Sequence, residues 1–281
     1  MKGIKKFLLL MVLIFLISAV INRAQSPFQV EFYKSKGMLT KADLVKKDFG
    51  RYKGFEIPAN KGEAADFVIY SPSFKPSLVL ADEKGSVIKQ VPGRDEHTAI
   101  LSAVFPKSGN YILYLVADES ASGEYDFQYA FTNENSLSLA PDADFKTAVS
   151  YLTEHAKAYF LFFDNPVDGK DTFYKMKDAT DVNLERDGSY SAVFYKGNDM
   201  AAAQGIFVEL SDKLKECFNS DWEKDTTDWK TEKNIREKYI QFKEKSQEEA
   251  RIVKLSLYDF SNAKQNYRFS YGVTLVFSKE H

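Results

Sequence analysis

The single cysteine of this 281-residue chain, Cys217, is a candidate nucleophile. A thiol needs a base that makes it a thiolate, and His155 is the histidine that folding could bring to it. However, Leu210 and Leu214 share a helical stripe with Cys217, which favours packing of the thiol as a small apolar group. We therefore expect a structural role for Cys217, with a catalytic role as the alternative.

Carboxylates are a second source of chemistry, because a converging pair can act as general acid and general base in a hydrolase. The candidates in the second half of the chain are Asp164, Asp168, Glu185 and Asp187. Residues 164–171, DNPVDGKD, look like a calcium loop. Proline takes the third ligand position, however, and Lys175 stands where a bidentate glutamate should close the site, so the sequence favours a turn that ends a helix.

One further loop, Asp95-Glu96-His97, gathers two carboxylates and an imidazole that could hold a metal ion. Adjacent side chains in an extended loop point apart, so a solvated turn is the favoured interpretation. The sequence contains no zinc spacing, phosphate loop, dinucleotide fingerprint or serine elbow. It therefore predicts no cofactor, no metal and no defined catalytic residue.

The two tryptophans, Trp222 and Trp229, are the candidate ligand-binding residues. They lie seven residues apart in a polar segment, 219–234, which is expected to be a helix with both indoles on one side, or a loop. An indole there could stack on a sugar ring or anchor a partner protein. The alternative is that both rings fold back over the edge of a sheet, because exposed tryptophan promotes aggregation.

The first half of the chain consists of short extended segments separated by turn residues. We predict strands over residues 51–57, 66–70, 77–80, 87–91, 98–105, 111–116 and 124–131. About seven strands without a helical period between them are typical of an antiparallel β-sandwich. In the last of these strands Tyr125, Phe127, Tyr129 and Phe131 fall on one face, which indicates a half-buried strand.

The turn sequences of this region resemble a known family. The segments 73–85 (SFKPSLVLADEKG), 105–111 (FPKSGNY) and 122–125 (SGEY), with Asp95-Glu96 between them, resemble bacterial pre-peptidase C-terminal (PPC) domains over about residues 37–131. Members of that family are jelly-roll-like β-sandwich modules attached to exported enzymes, and are not themselves catalytic. The resemblance therefore implies an accessory or binding role.

The hydrophobic period changes after a polar segment, 132–142, which we predict to be the boundary between a domain of residues 25–132 and one of residues 143–281. Apolar residues at three- and four-residue steps predict a helix from near Asp144 and a second over 199–218. Extended segments are predicted at 172–177, 182–185, 189–196, 238–245, 251–258 and 267–277. The second domain is thus expected to be α+β, with helices on one face of an antiparallel sheet.

The first 24 residues have the features of an export signal. Three lysines precede an unbroken apolar stretch, 7–21, and a small residue, Ala24, ends the segment. The stretch is shorter than the roughly 20 apolar residues that span a bilayer. We therefore expect cleavage after Ala24 and a periplasmic or secreted protein. The alternative is an uncleaved segment that anchors the protein in the inner membrane.

The overall charge also limits the function. The formal net charge is -2, and the sequence has no basic stripe of the kind that binds nucleic acid. We expect an exported, non-catalytic binding or accessory protein that presents a β-sandwich and an α+β domain to a protein or glycan of the cell envelope. The alternative is a hydrolase whose carboxylates converge in the C-terminal domain. Membrane contact is expected only if the N-terminal segment is retained, and the sequence leaves the oligomeric state open.

Overall fold

The structure is a computed structural model that describes residues 27–46, 49–164, 167, 172–245, 249–265 and 267–280, without the side chain of Asp164. The predicted export signal, residues 1–24, and Asp168 lie outside the described residues. Within those residues, no helix has both the length and the apolar character that a membrane crossing requires.

The described chain is mainly antiparallel β-sheet, which confirms the β-rich fold class. Strands β1 to β9 form a four-stranded sheet in the order β1-β9-β4-β7 and a five-stranded sheet in the order β2-β3-β8-β5-β6, called the paired sheets below. The strand bounds are β1 Val30–Leu39, β2 Val45–Lys46, β3 Gly50–Ala59, β4 Glu63–Tyr70, β5 Ser77–Asp82, β6 Val87–Val91, β7 Thr98–Val104, β8 Gly109–Ala117 and β9 Gly123–Asn133.

An apolar core lies between the paired sheets. Phe127 of β9 packs against Phe55 of β3, with 4.8 Å between the ring centroids. The predicted alternation along β9 is confirmed, because Tyr125 and Phe127 are buried and Tyr129 and Phe131 pack against the same core. Burial of these rings fixes the register of β9, since a slip by one residue would move all four to the opposite face, which is itself buried at Ala130 and Thr132.

The rest of the described chain forms an antiparallel sheet in the order β10-β11-β15-β14-β13-β12, together with helices. The bounds are α1 Phe145–Ala156, α2 Leu161–Asp164, β10 Asp181–Leu184, β11 Tyr190–Gly197, α3 Met200–Lys215, β12 Trp222–Glu232, β13 Ile235–Glu244, β14 Arg251–Asp259 and β15 Tyr271–Lys279. The predicted start of α1 is confirmed, because the Asp144 side chain accepts from the Thr147 N–H at 2.9 Å. Helices α1 and α3 contact β14 and β15 and share one core with Leu255 and Leu275.

The core under these helices extends onto the outer face of the four-stranded sheet. Phe28 meets Tyr151 of α1 edge to face at 5.1 Å, and Phe32 of β1 meets Tyr159 at 5.4 Å. The Lys279 ammonium lies 4.8 Å from the centre of the Phe32 ring. Apolar and cation–π contacts therefore join the paired sheets to the helices and the six-stranded sheet.

Several predicted elements differ in detail. The strand predicted over 267–277 begins only at Tyr271. Segment 172–177 was expected to be extended, but it is irregular, because the Tyr190 hydroxyl accepts from the Met176 N–H at 3.1 Å and takes the place of a neighbouring strand. Helix α3 ends at Lys215 rather than at residue 218, and the chain turns away with the Cys217 N–H bonded to the Leu214 carbonyl at 3.0 Å. Cys217 therefore lies beyond the helix.

The prediction of a helix or loop over 219–234 is wrong, because this segment contains strand β12. The strand pairs with β13 on one side only and is largely exposed, so it lacks the apolar alternation that would reveal it in the sequence. Lys233 and Asn234 have φ of 50° and 65° and close the β12–β13 hairpin. Two central residues with positive φ are typical of a type I′ hairpin turn, which usually has glycine in its sequence.

Candidate functional site

A cleft of about 700 Å³ opens on one side of the paired sheets. Strand β1 is the edge of the four-stranded sheet, and β3 is an edge of the other sheet beyond its short pairing with β2. Among the described residues no further strand lies beside either edge in this region, so the unpaired sides of β1 and β3 flank the cleft. Its floor comes from inner-face residues of β9 and β3, including Phe131 and Ile57.

A stacked pair of tyrosines forms the aromatic wall of the cleft. Tyr33 of β1 lies directly opposite Tyr129 of β9, with 4.9 Å between ring centroids and 17° between ring planes. Cross-strand aromatic pairs of this kind hold each other in place. Tyr33 is still 44% exposed. The stacking on Tyr129 therefore holds the Tyr33 ring in one orientation, with a large part of its surface accessible to a ligand.

Hydrogen bonds also fix the polar groups around these rings. The Tyr33 hydroxyl donates to Glu31 at 2.8 Å, and this bond raises the pKa of Tyr33. The backbone and side-chain nitrogens of Asn60 donate to the two Glu63 oxygens at 2.6 and 2.9 Å, which orders the turn between β3 and β4. Glu56 is the third acidic residue of the lining, but it alternates on β3 with Phe55 and Ile57, which face the core, so its side chain lies on the opposite face of the strand.

The lining of the cleft combines amides, hydroxyls and carboxylates. The charged residues that line it in the described chain are all glutamates, namely Glu31, Glu56 and Glu63. The neutral polar residues of the lining are Gln29, Asn60, Ser108, Asn110, Thr132 and Asn133. Amides and hydroxyls both donate and accept hydrogen bonds, and carboxylates accept them, so the cleft suits a ligand with many hydroxyl groups.

Trp222, one of the two predicted ligand-binding residues, covers a largely buried charge network. Arg251 donates to both oxygens of Glu244 at 2.7 and 2.6 Å and to Glu154 of α1 at 2.6 Å. The Trp222 ring lies 5.5 Å from the Arg251 guanidinium and 4.6 Å from the Phe218 ring. The indole thus shields ion pairs that tie α1 to β13 and β14.

Trp229, the other predicted residue, lies further along β12 and is also partly buried. Its ring stacks on the Arg236 guanidinium at 4.6 Å, and Arg236 pairs with Asp259 at 3.3 Å. In a regular strand, two residues seven positions apart lie on opposite faces. A β-bulge beside Trp229 adds one residue to β12, so Trp229 lies on the same face as Trp222. Both rings pack against the core under the helices. That either ring binds a ligand stays a prediction.

Cys217 and His155 each have a local partner of their own. Burial raises the pKa of Cys217 to about 11, and its thiol lies 3.3 Å from the Lys213 carbonyl. Burial lowers the pKa of His155 to about 4, and its Nε2 lies 2.9 Å from the Ser136 carbonyl. A thiol that stays protonated is a poor nucleophile, so this geometry favours the packing role.

The acidic candidates that the structure describes take part in turns. Asp95 accepts from the backbone N–H groups of His97 and Thr98 at 2.7 and 2.8 Å. Asp187 accepts from the backbone and hydroxyl of Ser189 at 2.9 and 2.7 Å in the β10–β11 turn. Glu185 lies at the same turn and accepts from the Ser191 hydroxyl at 3.3 Å.

Metal binding has no obvious location in the described part of the chain. No group of three His, Cys, Asp or Glu side chains among those residues is placed to hold a metal ion. The predicted candidate Asp168 and the side chain of Asp164 lie outside the described residues.

No family model matches the chain. A search of curated proteins also finds no match. Among solved structures, the chain is similar to the pre-peptidase C-terminal domain of a collagenase from Bacillus anthracis, with 18% identity over 34% of this chain and 87% of that one and a TM-score of 0.26.

Two further solved structures show similarity of the same order. One is PliG, a periplasmic inhibitor of g-type lysozyme from Aeromonas hydrophila, with 11% identity, 38% and 87% coverage and a TM-score of 0.26. The other is from Bacillus endospore appendages, with 9% identity, 39% and 93% coverage and a TM-score of 0.23. Likenesses this distant do not identify a family, so the function is argued from the cleft.

Sequence reasoning missed the cleft. The alternation along β9 placed Tyr129 and Phe131 on the inner face, but nothing in the sequence assigned Tyr33 to a strand beside them. Beyond Phe32, strand β1 is largely exposed and carries several charged side chains without an apolar period. The signal that could have found it is the alternation of Phe28, Val30 and Phe32 before the first predicted strand.

Proposed function

We propose that this protein is an exported, non-catalytic binding protein whose cleft between β1 and β3 holds a glycan of the cell envelope. The observation that carries the proposal is the exposed, stacked ring of Tyr33 surrounded by amides and carboxylates. A sugar ring has an apolar face that packs on an aromatic ring and hydroxyls that bond to polar side chains. The cleft volume lies within the range of about 300–1,000 Å³ that is common for ligand sites.

The support for binding rather than catalysis comes from the engagement of the carboxylates. A glycosidase needs one carboxyl group that donates a proton and a second that acts as base or nucleophile. Both Glu63 oxygens accept from Asn60, and Glu31 accepts from Tyr33, so both side chains already serve the local structure.

The proposal includes the architecture expected from the sequence. The paired sheets would be a PPC-like, jelly-roll-like β-sandwich domain over residues 25–132, followed by an α+β domain over 143–281. Its support is that the paired sheets enclose a core of their own, distinct from the core under the helices. Residues 1–24 would direct export to the periplasm or the medium.

A pair of matched variants tests the proposed function. Tyr33→Ala removes the ring of the wall, whereas Tyr70→Ala removes a tyrosine of nearly equal exposure, 45% against 44%, outside the cleft. We expect Tyr33→Ala to weaken binding to envelope glycans by about tenfold, the equivalent of about 1.4 kcal/mol, because a stacked aromatic contact is lost. Tyr70→Ala should bind like the unchanged protein.

Glycan arrays followed by calorimetric titration measure these affinities, and thermal unfolding checks that both variants are folded. Wild-type affinity in Tyr33→Ala would contradict the proposed site. If no envelope glycan binds the unchanged protein, the glycan proposal itself is wrong, and capture of an envelope protein becomes the function to test.

A further inference from the structure

The cleft has a one-sided charge. Its charged lining residues are three glutamates, and no Lys, Arg or His is among its described lining residues. Lys61 and Lys107 neighbour lining residues in sequence, but their exposed side chains do not line the cleft. A concave surface with charges of a single sign concentrates counter-charges from solution, and carboxylates would repel an acidic ligand.

The aromatic wall also attracts positively charged groups. The faces of aromatic rings attract cations, most strongly where the cation is partly shielded from water. The Tyr33 hydroxyl donates a hydrogen bond to Glu31 at 2.8 Å, and this bond increases the electron density of the ring. The ring and the carboxylates are independent features of the cleft, and both favour a positively charged group on the ligand.

We propose that the glycan held in this cleft carries free, protonated amines, so that the ligand class is an amino sugar that is not N-acetylated. The inference rests on the proposed function, because it names the ligand class of the same cleft. The ring of Tyr33 packs on one sugar face, and the ammonium group on the sugar donates to Glu31, which lies on the same face of β1 as Tyr33. Glycans that carry uronic acids, phosphates or sulfates are disfavoured.

Two oligosaccharides of equal length and linkage separate charge from sugar recognition. We would titrate the purified full chain with a β-1,4-linked glucosamine tetramer and with the matching N-acetylglucosamine tetramer. The titrations are run at mildly acidic pH, where the amines are protonated and most carboxylates are ionised. We expect the amine form to bind about tenfold more tightly, and added salt to reduce the difference by screening.

A charge-removing variant of the cleft and a matched control locate the effect. Glu31→Gln should weaken binding of the amine form about fivefold, because it removes the carboxylate charge beside Tyr33, and should leave the acetylated form unchanged, because the amide oxygen can still accept from the Tyr33 hydroxyl. Glu83→Gln removes the same charge from the exposed β5–β6 turn outside the cleft and should change neither affinity.

The outcomes are distinguishable. Equal binding of both tetramers would overturn the amine inference and leave the glycan-binding function standing. An equal loss in Glu31→Gln and Glu83→Gln would also overturn the inference, because the preference would then come from overall charge. If neither tetramer binds and the envelope glycans fail as well, the proposed function falls with the inference.

Discussion

His155 should make the stability of this protein sensitive to mild acid. The side chain is fully buried, and burial lowers its pKa from 6.5 to about 4, against the opposing effect of the hydrogen bond to Ser136. The unfolded chain therefore takes up a proton near pH 6.5 while the folded chain keeps the imidazole neutral. Each pKa unit is worth about 1.36 kcal/mol, so the free energy of unfolding should fall by about 3 kcal/mol between pH 6.5 and pH 4.

The assay is urea unfolding of the unchanged protein and of His155→Gln across this pH range. The glutamine amide can still donate to the Ser136 carbonyl but does not titrate. Between pH 6.5 and pH 5 the unchanged protein should lose about 2 kcal/mol more than the variant. Protonation of carboxylates contributes little to the stability change between pH 6.5 and pH 5. For Glu244, burial acts to raise the pKa, but the hydrogen bonds from Arg251 outweigh it and hold the pKa below 4.5.

Parallel stability profiles of the two proteins would refute this reasoning. If His155→Gln does not fold, NMR titration of the unchanged protein gives the same information, because the chain contains only three histidines. The His155 ring signals should then show no titration near pH 6.5. A His155 midpoint close to 6.5 would mean that the imidazole is accessible to water and that the packing around α1 is looser than described.

Three changes test the six-stranded sheet and the predicted tryptophan site. Trp222→Ala should lower the free energy of unfolding by about 2–4 kcal/mol without a selective loss of glycan binding, because it uncovers the network around Arg251. Trp229→Ala removes a ring that stacks on Arg236 and should lower the free energy of unfolding, measured by chemical denaturation, by about 1–2 kcal/mol. A selective loss of binding with unchanged stability in either variant would support the tryptophans as a binding site. Arg251→Met should cost about 3–5 kcal/mol, because it leaves the largely buried Glu244 without its ion-pair partner and removes one of the two partners of Glu154, which keeps Lys157. A neutral effect would contradict the described ion pairs.

The strands at the centre of the paired sheets were predictable because they bury residues on one or both faces. Strand β8 spans Gly109–Ala117 and was expected at 111–116, and β9 spans Gly123–Asn133 and was expected at 124–131. Leu113 and Leu115 of β8 have no exposed surface. Burial forces an apolar period on the sequence, and that period is what reasoning from the sequence detects.

The edge strands β1 and β12 were not predicted, whereas the edge strands β6, β7 and β10 were. Most side chains of β1 and β12 meet water, and apolar residues do not alternate along the whole of either strand. Natural proteins also place charges on edges, because an exposed apolar edge pairs with other chains and aggregates. The sequence of such a charged edge resembles that of a loop, as the segment around Trp222 and Trp229 shows.

The same physics explains why the candidate site could not be found from the sequence. The cleft exists because β1 and β3 have open sides, and its wall joins Tyr33 to Tyr129, two residues that are distant in the chain and adjacent only through the β1–β9 ladder. An edge strand that keeps polar and charged side chains for solubility also supplies acceptors for a ligand. Glu31 and Tyr33 thus lie on an edge strand whose exposure left little periodic signal, and only the strand pairing brings them beside Tyr129 and Phe131 of the predicted strand β9.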